Sequence, residues 1–504
     1  MNLPLGTTLL TIIVAALLLA SCTVGPDYVR PGAPVATAYK EAEGWKVAEP
    51  RDEAIRGAWW EIFDDPVLNR LEEQVSITNQ NLALAEAQYR QAQSLVQVAR
   101  AAYFPMITVG PGYTRSFGTF GARGAAGNQQ IASGTPSGLP GSAASSSSST
   151  ISVYSLPASL SWEIDLWGRV RRNVEANRAS AEASAADLES TRLLVQAELA
   201  QSYFQLRALD SQKELLDRTV AAYQDTLRLT QNRYARGVAS KGDVLQAETQ
   251  LRSTEAQRID VGVQRAQTEH AIALLLGKPP SEFSLPFSPL SITPPAVPLG
   301  LPSELLERRP DIAAAERRMA SANAQIGVAV AAYYPALSLS GLAGFESTAL
   351  SDLLNWSSRF WSVGGSLSET VFQGGLRRAQ TEQARAAFEA TVASYRQSVL
   401  TAFQEVEDNL AALRILEQEA AVQEEAVRAS GQSVRVTANQ YRQGIVTYIN
   451  VNVAQTAALG NERTALDILN RRMTAVVQLI RALGGGWKER MNAEGGMRSE
   501  GSVK

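Results

Sequence analysis

The sequence predicts a mainly α-helical protein that also carries membrane β-barrel strands and is written as an internal tandem duplication. Three observations predict this class. First, Tyr234-Ala-Arg-Gly237 followed by Asp243-Val-Leu-Gln-Ala247 returns 207 residues later as Tyr441-Arg-Gln-Gly444 and Asn450-Val-Asn-Val-Ala454. The same offset carries Leu160-Ser161 to Leu367-Ser368, Gly168 to Gly375 and Arg178 to Arg385. Second, apolar residues step by three and four, as in Val399, Phe403, Val406, Leu410 and Leu413, or Leu216, Val220, Tyr223 and Leu227, which is the seam of long helices packed side by side. Third, Tyr154, Leu156, Ala158, Leu160, Trp162, Ile164 and Leu166 alternate with Ser155, Pro157, Ser159, Ser161, Glu163 and Asp165. Period two with one apolar and one polar face is the pattern of a membrane barrel strand.

Taken in order, residues 1–21 read as a lipoprotein signal: an apolar run from Leu9 to Ala20 ends in small residues before Cys22, the only cysteine of 504 residues. Cys22 is the expected lipidation site and mature N-terminus. The run is too short for a confident membrane-spanning helix, and its n-region charge is the α-amino group alone. Residues 22–60 then form an extended lipidated segment, able to reach about 130 Å at full stretch.

The first repeat covers 61–276, with strands at about 103–117 and 151–166 and a tip at about 234–245. Ala101-Ala-Tyr-Phe-Pro105 and Ala331-Ala-Tyr-Tyr-Pro335 are offset by 230 rather than 207, which localises an insertion between Pro105 and Leu160. The Gly/Ser/Ala-rich stretch 121–150 reads as that inserted loop, on the extracellular side because barrels place their longer loops outside. A helix from Val170 to Arg236 would be about 100 Å long. Its return divides into Gly242 to Leu276 and Ser303 to Ala332 around an equatorial linker, 277–302. The second repeat, 303–483, has strands at about 335–346 and 359–372 and a tip at about 441–453. Its return is shared between Val446 to Leu483 and Pro66 to Ala102. Residues 484–504 read as a flexible tail.

Each copy of the chain thus offers four strands as two hairpins, with prolines where helices cannot continue. Four strands cannot close a barrel, and an open edge in lipid leaves unpaired backbone groups costing several kcal/mol each. The chain must oligomerise: three copies give twelve strands and two give eight, and both are even numbers in the range of known barrels.

Composition excludes several function classes. The 47 Lys and Arg against 50 Asp and Glu give a net charge of −3, with no basic excess to recruit nucleic acid. One cysteine permits no internal disulfide. His270 is the single histidine, so a His-based triad, a His-rich metal site and a histidine relay are all disfavoured, and it reads as a helix-surface residue. Six scattered methionines suggest no soft-metal site. Glu405, Glu407 and Asp408 read as solvated or lumen-facing. No enzyme activity, cofactor or metal is expected. The helix turnarounds stand apart: Gly237 and Gly444 have the placement of left-handed helix caps, while Val238 and Ile445 put apolar side chains at solvent-exposed tips in both copies, which suggests docking surfaces.

The chain resembles the TolC-like outer membrane factors, in particular the NodT-type lipoproteins that work with resistance-nodulation-division (RND) pumps. The matching residues are Leu19-Ala-Ser-Cys-Thr-Val-Gly-Pro-Asp-Tyr28 with Arg30-Pro31, Trp59-Trp60 with Phe63-Asp-Asp-Pro66-Val-Leu68, both Ala-Ala-Tyr-aromatic-Pro motifs, Leu306-Glu-Arg-Arg-Pro-Asp311-Ile, Phe372-Gln-Gly-Gly375 and the two Tyr-x-x-Gly tips. The resemblance implies a homotrimer anchored in outer membrane lipid, a 12-stranded barrel continuing into a periplasmic helical coiled-coil barrel. It implies a passive exit duct for drugs or toxic compounds, with a periplasmic membrane fusion adaptor and an inner membrane RND transporter as partners. Tyr234, Gly237, Val238, Ser240, Tyr441, Gly444, Ile445 and Thr447 would receive adaptor hairpins. A closing ring would come from the segment starting at Tyr448. Some drug-efflux relatives carry an Asp where Val453 stands and an Arg where Thr456 stands. Lacking both charges, this chain is expected to close through Ile449, Asn452 and Val453, with Asp243 the nearest charged candidate. A duct for type I protein secretion and a periplasmic coiled-coil scaffold are the alternatives.

Overall fold

The computed structural model describes residues 23–33, 39–41, 58–120, 147–295, 297 and 309–485. The expected signal, Cys22, most of the segment up to residue 57, the stretch 121–146, part of the linker and the tail from 486 lie outside them. In chain order the elements are helices α1 (Pro66–Thr78) and α2 (Gln80–Ala101), strands β1 (Met106–Val109), β2 (Gly112–Phe120) and β3 (Ser147–Ile164), helices α3 (Arg169–Ala235), α4 (Lys241–Leu275) and α5 (Pro310–Ala331), strands β4 (Ala336–Ser347) and β5 (Arg359–Ser368), and helices α6 (Leu376–Gln443) and α7 (Tyr448–Ala482). The two long helices have 67 and 68 residues, and each is followed by one of 35. The chain divides into one unit of Met1–Asp27, Leu95–Ala176 and Asn323–Arg385 and a second unit holding the rest.

The first unit is built on an antiparallel sheet in which β1 and β2 both pair with β3, β3 with β4, and β4 with β5. Pro111 and Pro157 lack N–H groups, and the ladder between β1 and β2 is interrupted where they fall. Register keeps the two faces chemically distinct. Leu160 lies between Ile107 and Gly341, Trp162 opposite Leu339, and Ile164 in a row with Leu337 and Leu367. On the other face Thr108 and Ser159 hydroxyls bond at 2.5 Å, and Ser338 and Ser366 at 2.8 Å.

Two strand boundaries differ from expectation. β3 begins at Ser147, and Phe120 pairs with it, so Ser147 to Thr150 belong to the ladder rather than to the loop. A serine run has no apolar alternation to betray a strand, and the backbone pairs regardless. At the other end Asp165 leaves the strand and caps α3, accepting from the N–H groups of Val170 at 3.0 Å and Arg171 at 2.9 Å. The segment following Cys22 is strapped onto this unit: Val24 N–H donates to Trp167 O, buried Arg172 pairs with Asp27 at 2.8 Å, and Asn323 donates to Pro26 O. Gly25, at φ +100°, sits so close to Gly327 that a side chain would collide with the facing backbone.

The second unit buries Trp59, Phe63, Leu68, Val75, Tyr203, Phe204, Ile272, Val406, Leu410, Val476 and Ile480 in one core. Asp65 caps α1 by accepting from Val67 and Leu68 N–H, with Pro66 at the first position, and also accepts from the Tyr203 hydroxyl. Burial, then this bond, pushes the Tyr203 hydroxyl up to about 12. The expected single return helix from Pro66 to Ala102 is two helices. Asn79 ends the first and its side-chain oxygen accepts from Asn81 and Leu82 N–H to start the second, while its amide donates to Leu275 O.

Glu405 and Glu407 correct the solvated reading. Glu405 takes an ion pair from buried Arg309 at 2.7 Å and one from Arg481 at 3.3 Å, and Glu407 accepts from the N–H groups of Lys40 and Glu41. Arg309 also bonds Asp311 twice and the Ala482 carbonyl, so one guanidinium ties the start of α5 to α6 and the end of α7. Asp408 is bonded by Gln404. His270 is exposed on α4.

Candidate functional site

The two helix turnarounds lie together in the second unit. α3 ends in a Schellman motif: Gly237 N–H donates to Tyr234 O at 2.9 Å and Val238 N–H to Arg233 O at 2.9 Å, with Gly237 at φ +75°. α6 ends the same way, Gly444 N–H to Tyr441 O at 3.0 Å and Ile445 N–H to Gln440 O at 2.9 Å, with Gly444 at φ +82°. The motif throws the residue after each glycine outward. Val238 is 64% and Ile445 66% exposed.

The restarts differ. Ser240 and Asp243 form a reciprocal capping box at the start of α4, Asp243 N–H to Ser240 Oγ at 3.1 Å and Ser240 N–H to Asp243 Oδ2 at 2.9 Å. At the start of α7, Thr447 is the cap residue but its side chain accepts from no backbone N–H of the helix, and Asn450 stands where the box would need an acid, its side-chain amide donating to Thr447 Oγ1 at 3.2 Å. The Asp243 carboxylate is thus held by backbone.

The two tips are bound to each other by one side chain. Arg233 of α3 lies over the Tyr441 ring at 4.6 Å and donates to the Tyr441 carbonyl, which lies in the last turn of α6. A cation at a helix C-terminus meets both free carbonyls and the negative end of the dipole. Tyr441 is buried, its hydroxyl donating to Thr230 Oγ1 at 3.1 Å, and its ring meets Tyr448 edge-on. Burial, with Tyr223, Tyr441 and Asp243 nearby, pushes the Tyr448 hydroxyl up to about 12. Tyr234, the counterpart of Tyr441, is instead 45% exposed, with the Lys241 ammonium 5.8 Å from its ring centre. Sequence reasoning singled out both tyrosines but missed Arg233. The signal was available, because the 207-residue offset puts Gln440 at that place in the second copy.

Of the expected gate residues, Ile449 and Val453 are one turn apart on the exposed face of α7, whereas Asn452 is half-buried and its Oδ1 lacks a hydrogen-bond partner among the described residues. Among the described residues no helix is long and apolar enough to cross a membrane, and no acidic, His or Cys cluster could hold a metal.

Comparison with known proteins agrees with this architecture. The family model for outer membrane efflux proteins matches residues 71–278 and 301–485, one segment per repeat. The chain is 29% identical over 484 residues to the probable efflux pump outer membrane protein TtgC of Pseudomonas putida, covering 96% of each chain. It is 31% identical to outer membrane protein OprJ of Pseudomonas aeruginosa, covering 94% of this chain and 95% of the relative. Among solved structures the outer-membrane channel OprN superposes with a TM-score of 0.82 at 32% identity, covering 92% of this chain and all of that one.

Proposed function

The chain belongs to the outer membrane efflux protein family, and we propose that it works as a homotrimeric exit duct of a tripartite pump, conducting drugs or other toxic small molecules out of the cell. The observation that carries this reading is the sheet of the first unit: one apolar face, one polar face, and two edges, β1–β2 and β5, that no other strand among the described residues pairs with. In lipid those edges must pair, so β5 of one copy joins β1–β2 of the next, and three copies close a 12-stranded barrel.

The tips support the same closure. Within one chain Arg233 and Thr230 cover Tyr441. Their counterparts, Gln440 and Thr437, have the corresponding tyrosine, Tyr234, to cover only in a neighbouring copy. The periplasmic adaptor docks against Val238 and Ile445 and the grooves beside Gly237, Ser240, Gly444 and Thr447. The inner membrane RND transporter delivers substrate through it. Ile449 and Val453 close the resting duct by excluding water. Cys22 carries the lipid, and the strap at Val24 to Asp27 holds the anchored end against the first unit.

Purified protein in planar bilayers tests the reading. Trimers that conduct, with conductance rising when adaptor is added, are expected. A monomeric protein that never inserts would end it.

A further inference from the structure

The five strands hold four charged residues among them: Arg115, Glu163, Glu346 and Arg359. They segregate by face. Arg115 shares the face of Tyr113 and Tyr154, and Arg359 that of Phe345 and Trp361, so both arginines lie on the apolar side of the sheet. Glu163 aligns with Ser338 and Glu346 with Ser155, so both glutamates lie on the polar side. A cation on the lipid side of a barrel is costly at mid-depth but not at the interface, where the penalty falls to about 0–1 kcal/mol.

Register locates that depth. The apolar face runs along β3 from Ile164, next to α3, to Leu156, nine residues that match a tilted membrane strand. Arg359 aligns with Leu156 through Phe345, and Arg115 aligns with Ser152 four residues further from the helices. Arg359 therefore sits where the apolar belt ends on the side away from the helices, and Arg115 lies four residues beyond it. Aromatic residues mark the same level. The Tyr113 and Tyr154 rings are 4.9 Å apart, the Arg359 guanidinium lies 3.5 Å over the Trp356 ring, and Trp361 is 76% exposed. Neither arginine has an ion-pair partner among the described residues.

The two arginines also lie on the two edges of the sheet, Arg115 on β2 and Arg359 on β5. We infer that barrel closure brings Arg359 of one copy and Arg115 of the next onto neighbouring strands, about 4.8 Å apart in the pairing direction, and that each of the three seams so formed binds the phosphorylated headgroup of an outer-leaflet lipid. This rests on the trimeric duct reading above. Charge selects the phosphate, since the charged residues that the described strands place on the apolar face are both arginines, while Trp356, Trp361, Tyr113 and Tyr154 supply the amphipathic collar that seats the top of the acyl chains.

The test reconstitutes whole trimers in phosphatidylcholine nanodiscs containing lipid A or its dephosphorylated form and counts retained lipid by native mass spectrometry. Wild type should retain lipid A in preference to the dephosphorylated form, up to three per trimer. Arg115→Gln and Arg359→Gln should each lower retention about fivefold, and Arg→Lys at either place should largely restore it. Equal retention of the two lipids by wild type, which needs no variant, would overturn the site, as would Gln variants that retain lipid A like wild type, or displacement by millimolar inorganic phosphate. Trimers in lipid without phosphate selectivity would sink this site alone. Wild type that forms no membrane-embedded trimer would sink the duct reading and the site with it.

Discussion

The Arg233 guanidinium covers the ring of Tyr441 and donates to that residue's own carbonyl, so one side chain of the first repeat closes the helix end of the second. A charge-assisted bond and a partly desolvated cation–π contact together stabilise the tip by about 2 kcal/mol. Arg233→Ala should therefore raise amide exchange in the last turn of α6, Asn439 to Gln443, about 30-fold, while the mid-helix amides around Val406 keep their protection. Unchanged exchange in that turn would show that the Schellman cap alone holds it.

The exposed Tyr234 predicts where copies meet. If repeats alternate around a ring, Tyr234 of one copy approaches Thr437 of the next as Tyr441 approaches Thr230 within a chain. Tyr234→Cys combined with Thr437→Cys should give a covalent trimer with a short bismaleimide. Either cysteine alone should stay monomeric on denaturing gels. Intramolecular cross-linking alone would argue against alternation.

Periodicity made the long helices and the sheet legible in the sequence, because the long helices bury residues on a three-and-four step and Tyr154 to Ile164 alternate apolar with polar side chains along one strand. The offset located both tips for the same reason: a glycine at positive φ and an outward apolar neighbour are local features. What stayed hidden was non-local or asymmetric. Glu405 reads as solvated until Arg309, 96 positions away, is brought to it by packing. Arg233 and Asp243 differ from Gln440 and Asn450, and a repeat-based reading treats such differences as noise although they decide which tip caps the other. Asn79 was visible as a residue but its role needs Leu275 beside it.

Arg309 should be among the costly positions in the equatorial region. Removing it leaves Glu405 with Arg481 alone and the Ala482 carbonyl without that donor. Breaking a fully buried ion pair typically costs about 3–5 kcal/mol, and the loss here falls below that because Glu405 is half-buried and keeps Arg481. Arg309→Ala should lower the thermal midpoint of trimer dissociation measurably, whereas exposed Arg428→Ala should not. A midpoint unmoved by Arg309→Ala would mean that the apolar core fixes these helices unaided.

Gly444 separates docking from folding. Its left-handed conformation disfavours any side chain by about 1–2 kcal/mol, too little to unfold a helix of 68 residues packed along its length. Gly444→Trp should leave heat-stable trimers in the outer membrane yet abolish adaptor cross-linking and efflux, because the indole fills the space beside Ile445. Full resistance with normal cross-linking would exclude this tip as the docking surface.

The gate prediction turns on which side chains are free to act. Asp243 is occupied by the backbone of Ser240, while Ile449 and Val453 present adjacent apolar surfaces with no polar partner to satisfy. Repeated around a threefold axis, two such residues close a pore by excluding water, and a carboxylate placed there instead repels its symmetry mates and draws water in. Ile449→Asp with Val453→Asp should raise single-channel conductance in planar bilayers and sensitise cells to large antibiotics. Asp243→Asn should mainly loosen the start of α4 by about 1 kcal/mol, seen as faster exchange at its first amides, with little change in conductance. The reverse pattern, conductance moved by Asp243→Asn and indifferent to the double aspartate, would shift the constriction to the first tip.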